Sequence, residues 1–201
     1  IAVGTDRRLS TGSGKGWRTL LGGPARSQAT AAAVTPDGAV WFGFGDSAAD
    51  VAGGGLSRFD GREWQYFLDD ANVQALAAGP DGTLWAGAGC TLWRLNVADW
   101  QQVGGCEQIK GNILDIAVAS DGAVWAATGM ALARFDGQSW TAYDRLIHLV
   151  AIGTGDTLWA VGWEGTQGSN YVAYLNGSDW VKTLDRSLGS LIVAPDGQVW
   201  G

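Results

Sequence analysis

An all-β fold built from repeated, antiparallel four-stranded units is what this sequence predicts, on three observations. Ten of the twelve tryptophans fall on two series that recur about every 40 residues. One is Trp41, Trp85, Trp125, Trp159 and Trp200, mostly written Asp-Gly-x-(Val/Leu)-Trp; the other is Trp17, Trp64, Trp100, Trp140 and Trp180, often after Asp-Gly or Asn-Gly. Between these marks lie short apolar runs of strand length. The runs are joined by turn dipeptides, which the 32 glycines supply freely. Units of this length, made of short strands and tight turns, are how a β-propeller reads in sequence. The expectation is about five repeats forming a single domain or propeller segment, part of a larger propeller. Its units span roughly 1–20 (partial), 28–67, 72–103, 112–143, 147–184 and 188–201 (partial).

Within a unit the strands, A to D, are best seen at 74–79, 83–88, 92–96 and 100–103. Asp81-Gly82 joins A to B, and Asp37-Gly38, Asp121-Gly122 and Asp196-Gly197 repeat it. Asp-Gly between apolar runs is a strong hairpin signal, because the turn needs positive φ, which Gly and less readily Asp accept. Asp60-Gly61, Asp136-Gly137 and Asn176-Gly177 join C to D, whereas Asn96-Val97 predicts a different turn. A meander places the A–B and C–D turns at one rim and the B–C and D–A connections at the other.

The Asp-Gly rim is nearly uniform and reads as scaffold. Variation sits opposite. The B-strand to D-strand tryptophan separation is 15 residues in the units of Trp85 and Trp125, but 23 from Trp41 to Trp64 and 21 from Trp159 to Trp180. The extra residues fall between strands B and C, where a rigid frame can carry variable binding loops. The tryptophans themselves read as packing, since a residue present in every blade serves the contact between blades. Arg58, Arg94 and Arg134, six residues before the D-strand Trp, and Tyr174 in the same slot, are expected at inter-blade contacts. Ile1-Ala2-Val3-Gly4 aligns with Leu84-Trp85-Ala86-Gly87, so both ends occupy the same strand position. An excerpt from a longer propeller is the favoured expectation, over five blades closing on a shared one.

Composition excludes several function classes. A net charge of −7 disfavours a phosphate-backbone partner, which needs clustered Lys and Arg. No run of 18 apolar residues offers a membrane-spanning helix. One His and two Cys do not make a zinc set, so no metal or cofactor is expected. Gly12-Ser13-Gly14-Lys15-Gly16 lacks the outer Gly and the Ser/Thr of a phosphate loop and aligns with a C–D turn. Asn176-Gly177-Ser178 matches a glycosylation sequon but is also a turn. No nucleophile elbow or His-Glu-x-x-His helix occurs, and the Asp-Gly turns lack the spacer of a sialidase Asp-box. No catalytic residues are assigned.

Candidate binding residues are those off the lattice. They are Asp46 and Asp50 in the first enlarged loop, and Trp163, Glu164, Gln167 and Asn170 in the second. Asp69, Asp70, Arg145 and His148 lie on D–A connections, His148 at the entry to strand A. An aromatic ring beside carboxylates and amides suits stacking and hydrogen bonding to a small polar ligand such as a glycan. The four aspartates are also an oxygen set for a hard cation, though in no known loop spacing. Cys90 and Cys106 fall on one rim, in a B–C and the next D–A connection. They read either as a disulfide of an exported protein or as two free thiols.

Gly55-Leu56-Ser57-Arg58-Phe59-Asp60-Gly61-Arg62-Glu63-Trp64-Gln65-Tyr66 and Ala131-Leu132-Ala133-Arg134-Phe135-Asp136-Gly137-Gln138-Ser139-Trp140-Thr141-Ala142-Tyr143, each preceded by Asp-Gly-x-Val-Trp, resemble the two-component regulator propeller repeat. The likeness covers nearly the whole chain and is weakest near Ala2 and at Gly155-Asp156, where the turn dipeptide is reversed. It implies a bacterial periplasmic or extracellular ligand-sensing propeller in signal transduction, often tied to carbohydrate sensing. It defines no ligand residues. Other readings are a propeller lyase resembling the streptogramin lyases, with His148 as the acid–base group, and a structural module with a protein partner.

Overall fold

The computed structural model describes residues 29–45, 54–69, 71–96, 99–164, 169–194 and 196–201, with the backbone of 2–3, 9–13 and 16–20. Asp46, Asp50, Asp70, Gln167 and the Asn96-Val97 turn, at Val97, lie outside the described residues. A first sheet of β1 (Ala2–Val3), β2 (Leu9–Ser13) and β3 (Gly16–Leu20) is followed by four complete blades. Blade I is β4 (Ala29–Val34), β5 (Val40–Phe44), β6 (Gly55–Phe59) and β7 (Trp64–Phe67). Blade II is β8 (Val73–Ala78), β9 (Leu84–Ala88), β10 (Thr91–Asn96) and β11 (Asp99–Gly104). Helix α1 (Cys106–Ile109) then leads into blade III: β12 (Asp115–Val118), β13 (Val124–Ala127), β14 (Leu132–Phe135) and β15 (Trp140–Tyr143). Blade IV is β16 (Ile147–Ile152), β17 (Leu158–Glu164), β18 (Ser169–Asn176) and β19 (Asp179–Leu184). A two-stranded sheet of β20 (Ile192–Val193) and β21 (Val199–Trp200) ends the chain.

Every complete blade is an antiparallel meander in the order A-B-C-D. The A strands contact one another in sequence, β4 with β8, β8 with β12, and β12 with β16, so they line the inside of the arc. This is the β-propeller architecture. Ser13 pairs with Gly16 across β2 and β3, so the phosphate-loop look-alike is a strand-to-strand connection.

The Asp-Gly turns work differently from the two-residue hairpin expected. Only Gly takes positive φ, at 81° for Gly38, 84° for Gly82 and 83° for Gly122. The Gly N–H donates to the carbonyl three residues back, as from Gly38 to Thr35 at 2.8 Å. Asp contributes through its carboxylate, which accepts the N–H two residues on: Ala39 to Asp37 at 3.1 Å, Thr83 to Asp81 at 2.9 Å and Ala123 to Asp121 at 2.9 Å. The side chain thus satisfies an N–H that the turn would leave open. The reversed Gly155-Asp156 puts Asp156 at φ 59°, where its carboxylate accepts the Ser120 N–H at 2.8 Å and the Ser120 hydroxyl. The departure from the repeat is therefore a latch between the turns of blades III and IV, and these bonds hold the Asp156 carboxyl below its usual range.

Packing between blades follows the indoles. Trp41, Trp85 and Trp125 are 3%, 4% and 6% exposed, each in a wedge with the next blade's apolar residues. The filler role does not extend to Trp200, which is 59% exposed on the two-stranded terminal sheet. The recurrent arginines correct another expectation. Arg58, Arg94 and Arg134 lie over the indoles of Trp41, Trp85 and Trp125 at 5.9, 5.8 and 5.6 Å, their directly opposed partners within the same blade. Tyr174 fills the slot over Trp159 at 5.1 Å. Cross-strand cation–π pairing holds these cations over their own blade's strand B, and from there Arg58 lines the cleft between blades I and II.

One half-buried carboxylate breaks the apolar pattern of the inner strands. Asp115 on β12 accepts the N–H of Val150 on β16 at 2.9 Å and that of Ile116 at 2.9 Å. Desolvation outweighs these bonds and pushes its carboxyl up to about 6. A raised folded-state pKa means that the native state binds the proton more tightly. The stabilisation is complete below the unfolded value of 3.8 and is lost as pH rises through 6. Asp115→Asn is expected to gain about 1–2 kcal/mol over the parent chain between pH 4 and pH 7, allowing for solvent relaxation. Urea midpoints of both proteins at the two pH values check this, and parallel pH profiles count against it.

Candidate ligand-recognition rim

Both length insertions connect strand B to strand C, so they lie at the rim shared with the D–A connections. In blade I the extra residues fall between β5 and β6, largely outside the described residues. In blade IV they extend the hairpin rather than form a loop: β17 runs to Glu164 and β18 starts at Ser169, with Trp163 paired to Asn170 and Glu164 to Ser169. Alternation along the strand sends Trp163 and Glu164 to opposite faces of that hairpin.

His148 does enter strand A, as the extra residue of a bulge between Ile147 and Leu149. The same offset occurs at Thr30 in β4 and Gln74 in β8, so the bulge belongs to the repeat while the residue in it changes. Bulges re-aim a side chain at a sheet end. Here the imidazole stacks on Trp163, with ring centroids 4.6 Å apart and planes 17° from parallel. Its Nδ1 is enclosed without a hydrogen-bond partner, and burial lowers the His148 pKa, which favours the neutral ring.

Around this pair the rim is apolar. A Cβ on Gly129 would meet Leu114 and Trp163, each at 3.2 Å, which shows how closely the indole lies on blade III. The Trp163 backbone N–H donates to the Leu146 carbonyl at 2.8 Å. Leu114 and Leu146 are exposed nearby, and Met130 is 69% exposed. Sequence reading missed these three. Their signal is faint: large apolar residues at connections where the repeat otherwise carries polar or small ones.

The opposite face of the hairpin is polar. Glu164, Ser169, Asn170, Lys182, Asp185, Arg186 and Ser187 line a cleft of about 580 Å³. Lys182 bonds Asp185 at 2.5 Å and Glu164 at 3.0 Å and lies 5.6 Å from the Tyr171 ring centre. Those two bonds, the one to Asp185 foremost, raise the Lys182 pKa and keep it cationic.

The structure therefore divides the sequence candidates. Trp163 and His148 form an aromatic stack; Glu164 lines the polar cleft on the hairpin's other face, and Asn170, paired directly across from Trp163, borders that cleft. Arg145 is 5.7 Å above the Trp180 ring, a packing position. Asp69 is exposed after β7, away from that hairpin in sequence and blade. Cys90 and Cys106 are joined as a disulfide with Cα atoms 4.8 Å apart, tying the blade II B–C turn to the start of α1. The helix was not anticipated. Gly105 serves as its N-cap, the Gly105 N–H donating to Gln108 Oε1 at 3.1 Å, and Ile109 is buried. Among the described residues no three His, Cys, Asp or Glu side chains stand together as a metal site, and no helix is long and apolar enough to cross a membrane.

No family model and no curated protein sequence matches the chain. Solved propellers do. A streptogramin B lyase superposes with TM-score 0.76 at 17% identity, covering 96% of this chain and 68% of its own. A catalytically inactive virginiamycin B lyase variant from Staphylococcus aureus, solved with quinupristin, gives 0.69 at 15% identity, covering 92% and 66%. YCF48 bound to a D1 peptide gives 0.68 at 16% identity, covering 98% and 70%. The chain thus spans about two thirds of the length of these proteins. At such identities the likeness shows the β-propeller fold, and propellers host many functions.

Proposed function

We propose that this chain is part of a non-catalytic recognition propeller acting outside the cytoplasm, which holds a small polar ligand such as a carbohydrate at the B–C/D–A rim. The observation that carries this reading is the extended blade IV hairpin, with the Trp163–His148 stack on one side and a charged cleft on the other. Aromatic stacking and hydrogen bonding are the two contacts a sugar ring uses, and this hairpin carries groups for both. The Cys90–Cys106 disulfide on the same rim supports an oxidising compartment. The resemblance to the two-component regulator propeller repeat supports a periplasmic or extracellular sensor in a bacterium.

Screening a panel of oligosaccharides by tryptophan fluorescence tests the reading. Trp163→Ala is expected to abolish the ligand-dependent change, with a smaller fall in melting temperature than truncation of a fully buried wedge tryptophan causes. Lost stability with unchanged binding would reassign Trp163 to packing. Streptogramin lyases among the structural neighbours favour a second reading, a lyase-type reaction with His148 as its acid–base group. Turnover of a streptogramin B substrate that survives His148→Ala removes that mechanism.

A further inference from the structure

The rim opposite the proposed ligand site carries a second cleft, of about 690 Å³, at the outer mouth of the wedge between blades I and II. We propose that it binds an organic cation: an ammonium or guanidinium group carried on an aromatic or alkyl body. This inference goes beyond the recognition rim and does not depend on it. The walls are apolar: Trp41, Phe67, Pro36 and Leu95, with the Trp41 and Phe67 ring centres 5.3 Å apart. Carboxylates stand on both sides, Asp37 from the blade I turn and Asp81 from that of blade II.

Both carboxylates remain anionic at neutral pH, and the reason is geometric. Asp37 accepts the Thr35 hydroxyl at 2.5 Å and the Ala39 N–H at 3.1 Å; Asp81 accepts the Thr83 hydroxyl at 2.7 Å and N–H at 2.9 Å. Arg58 is the cation lining the cleft, and it is already engaged. It reaches Asp37 at 3.1 Å and Gln65 at 3.1 Å while lying over Trp41. The nearby Arg94 is turned to Gln101 and to Trp85, on the wedge towards blade III, and acts on Asp81 through its charge without bonding it. The cleft lining therefore has one negative charge in excess, beside an aromatic wall. That suits a cation with an apolar body, which gains both Coulombic attraction and buried area.

The wedge between blades III and IV is bridged differently at the same rim. There the Ser120–Asp156 latch spans the two turns. At the blade I–II turns, Pro36 faces Gly82 without a side chain on the glycine.

The probe is phenethylammonium, with 3-phenylpropionate as the anionic control of similar shape. The readout is the indole N–H signal of Trp41 in protein labelled with ¹⁵N at tryptophan. A fragment of this size is expected to bind at about 1 mM, to shift Trp41, and to weaken with added salt; the anion binds several-fold more weakly. Gln65→Glu on the exposed outer strand tightens the cation about threefold, and Gln65→Lys weakens it about threefold, as one added charge near the mouth requires. Both variants are checked for unchanged circular dichroism. Trp163→Ala leaves this titration unaltered, which separates it from the recognition rim. No Trp41 shift at millimolar probe, equal binding of the anion, or insensitivity to the charge at position 65 in folded variants overturns the proposal.

Discussion

Trp125→Ala is expected to destabilise the chain by about 3–5 kcal/mol, with a fall in melting temperature of about 10 °C. Trp125 is 6% exposed and sits in one cluster with Ile147, Leu158, Ala160 and Tyr171 of the next blade. Truncation removes the transfer energy of an indole and leaves a cavity that two sheets, each fixed by its own ladder, cannot collapse to fill. It also strips the surface on which Arg134 lies. Trp200→Ala is the internal control: the same residue type and lattice slot, but 59% exposed, so a change within about 0.5 kcal/mol is expected. Chemical denaturation of both variants checks the pair. Equal losses would mean that the lattice position, and not wedge burial, sets the energy.

The second large effect is loss of the Cys90–Cys106 cross-link. It spans a sequence separation of 16, and a loop of that size is worth about 3 kcal/mol through the entropy it removes from the unfolded chain. The folded state also feels it, since α1 is a single turn beginning at Cys106, too short to persist by itself. The double variant Cys90→Ser, Cys106→Ser should therefore unfold at lower urea and lose hydrogen-exchange protection first at Ile109. Mass mapping without reductant should find the two cysteines in one linked peptide pair. Free thiols after aerobic purification, with an unchanged midpoint for the double variant, would falsify the pairing.

Much of the scaffold was legible in the chain because its rules are local and repeated. A Gly that must take positive φ, an Asp that accepts the N–H two residues on, and a large indole at a fixed step from both are each encoded within a few residues. Repetition multiplies the signal, so strand order and the identity of the two rims followed. Where the local rule was misjudged, the cause is also local. The turn places only Gly at positive φ, and the arginines find their opposed partner across two residues' width of sheet before they can reach another blade.

The candidate site was only partly legible. Trp163, Glu164 and Asn170 stood out because they interrupt the lattice, and the structure sets them on one hairpin. That His148 lies on Trp163, and that Lys182 closes the cleft, are contacts between residues 15 and 18 apart. No periodicity announces them.

By itself, the sequence determined the strand period, the meander within each blade, the turn chemistry and the rim on which length varies, since each follows from steric and hydrogen-bonding demands among near neighbours. Only the tertiary structure decided which wedge is latched and which is open, which indole is buried, and which loop residues meet. These depend on the spacing between separate sheets, where a single hydroxyl at Ser120 changes the outcome without altering the repeat that carries it.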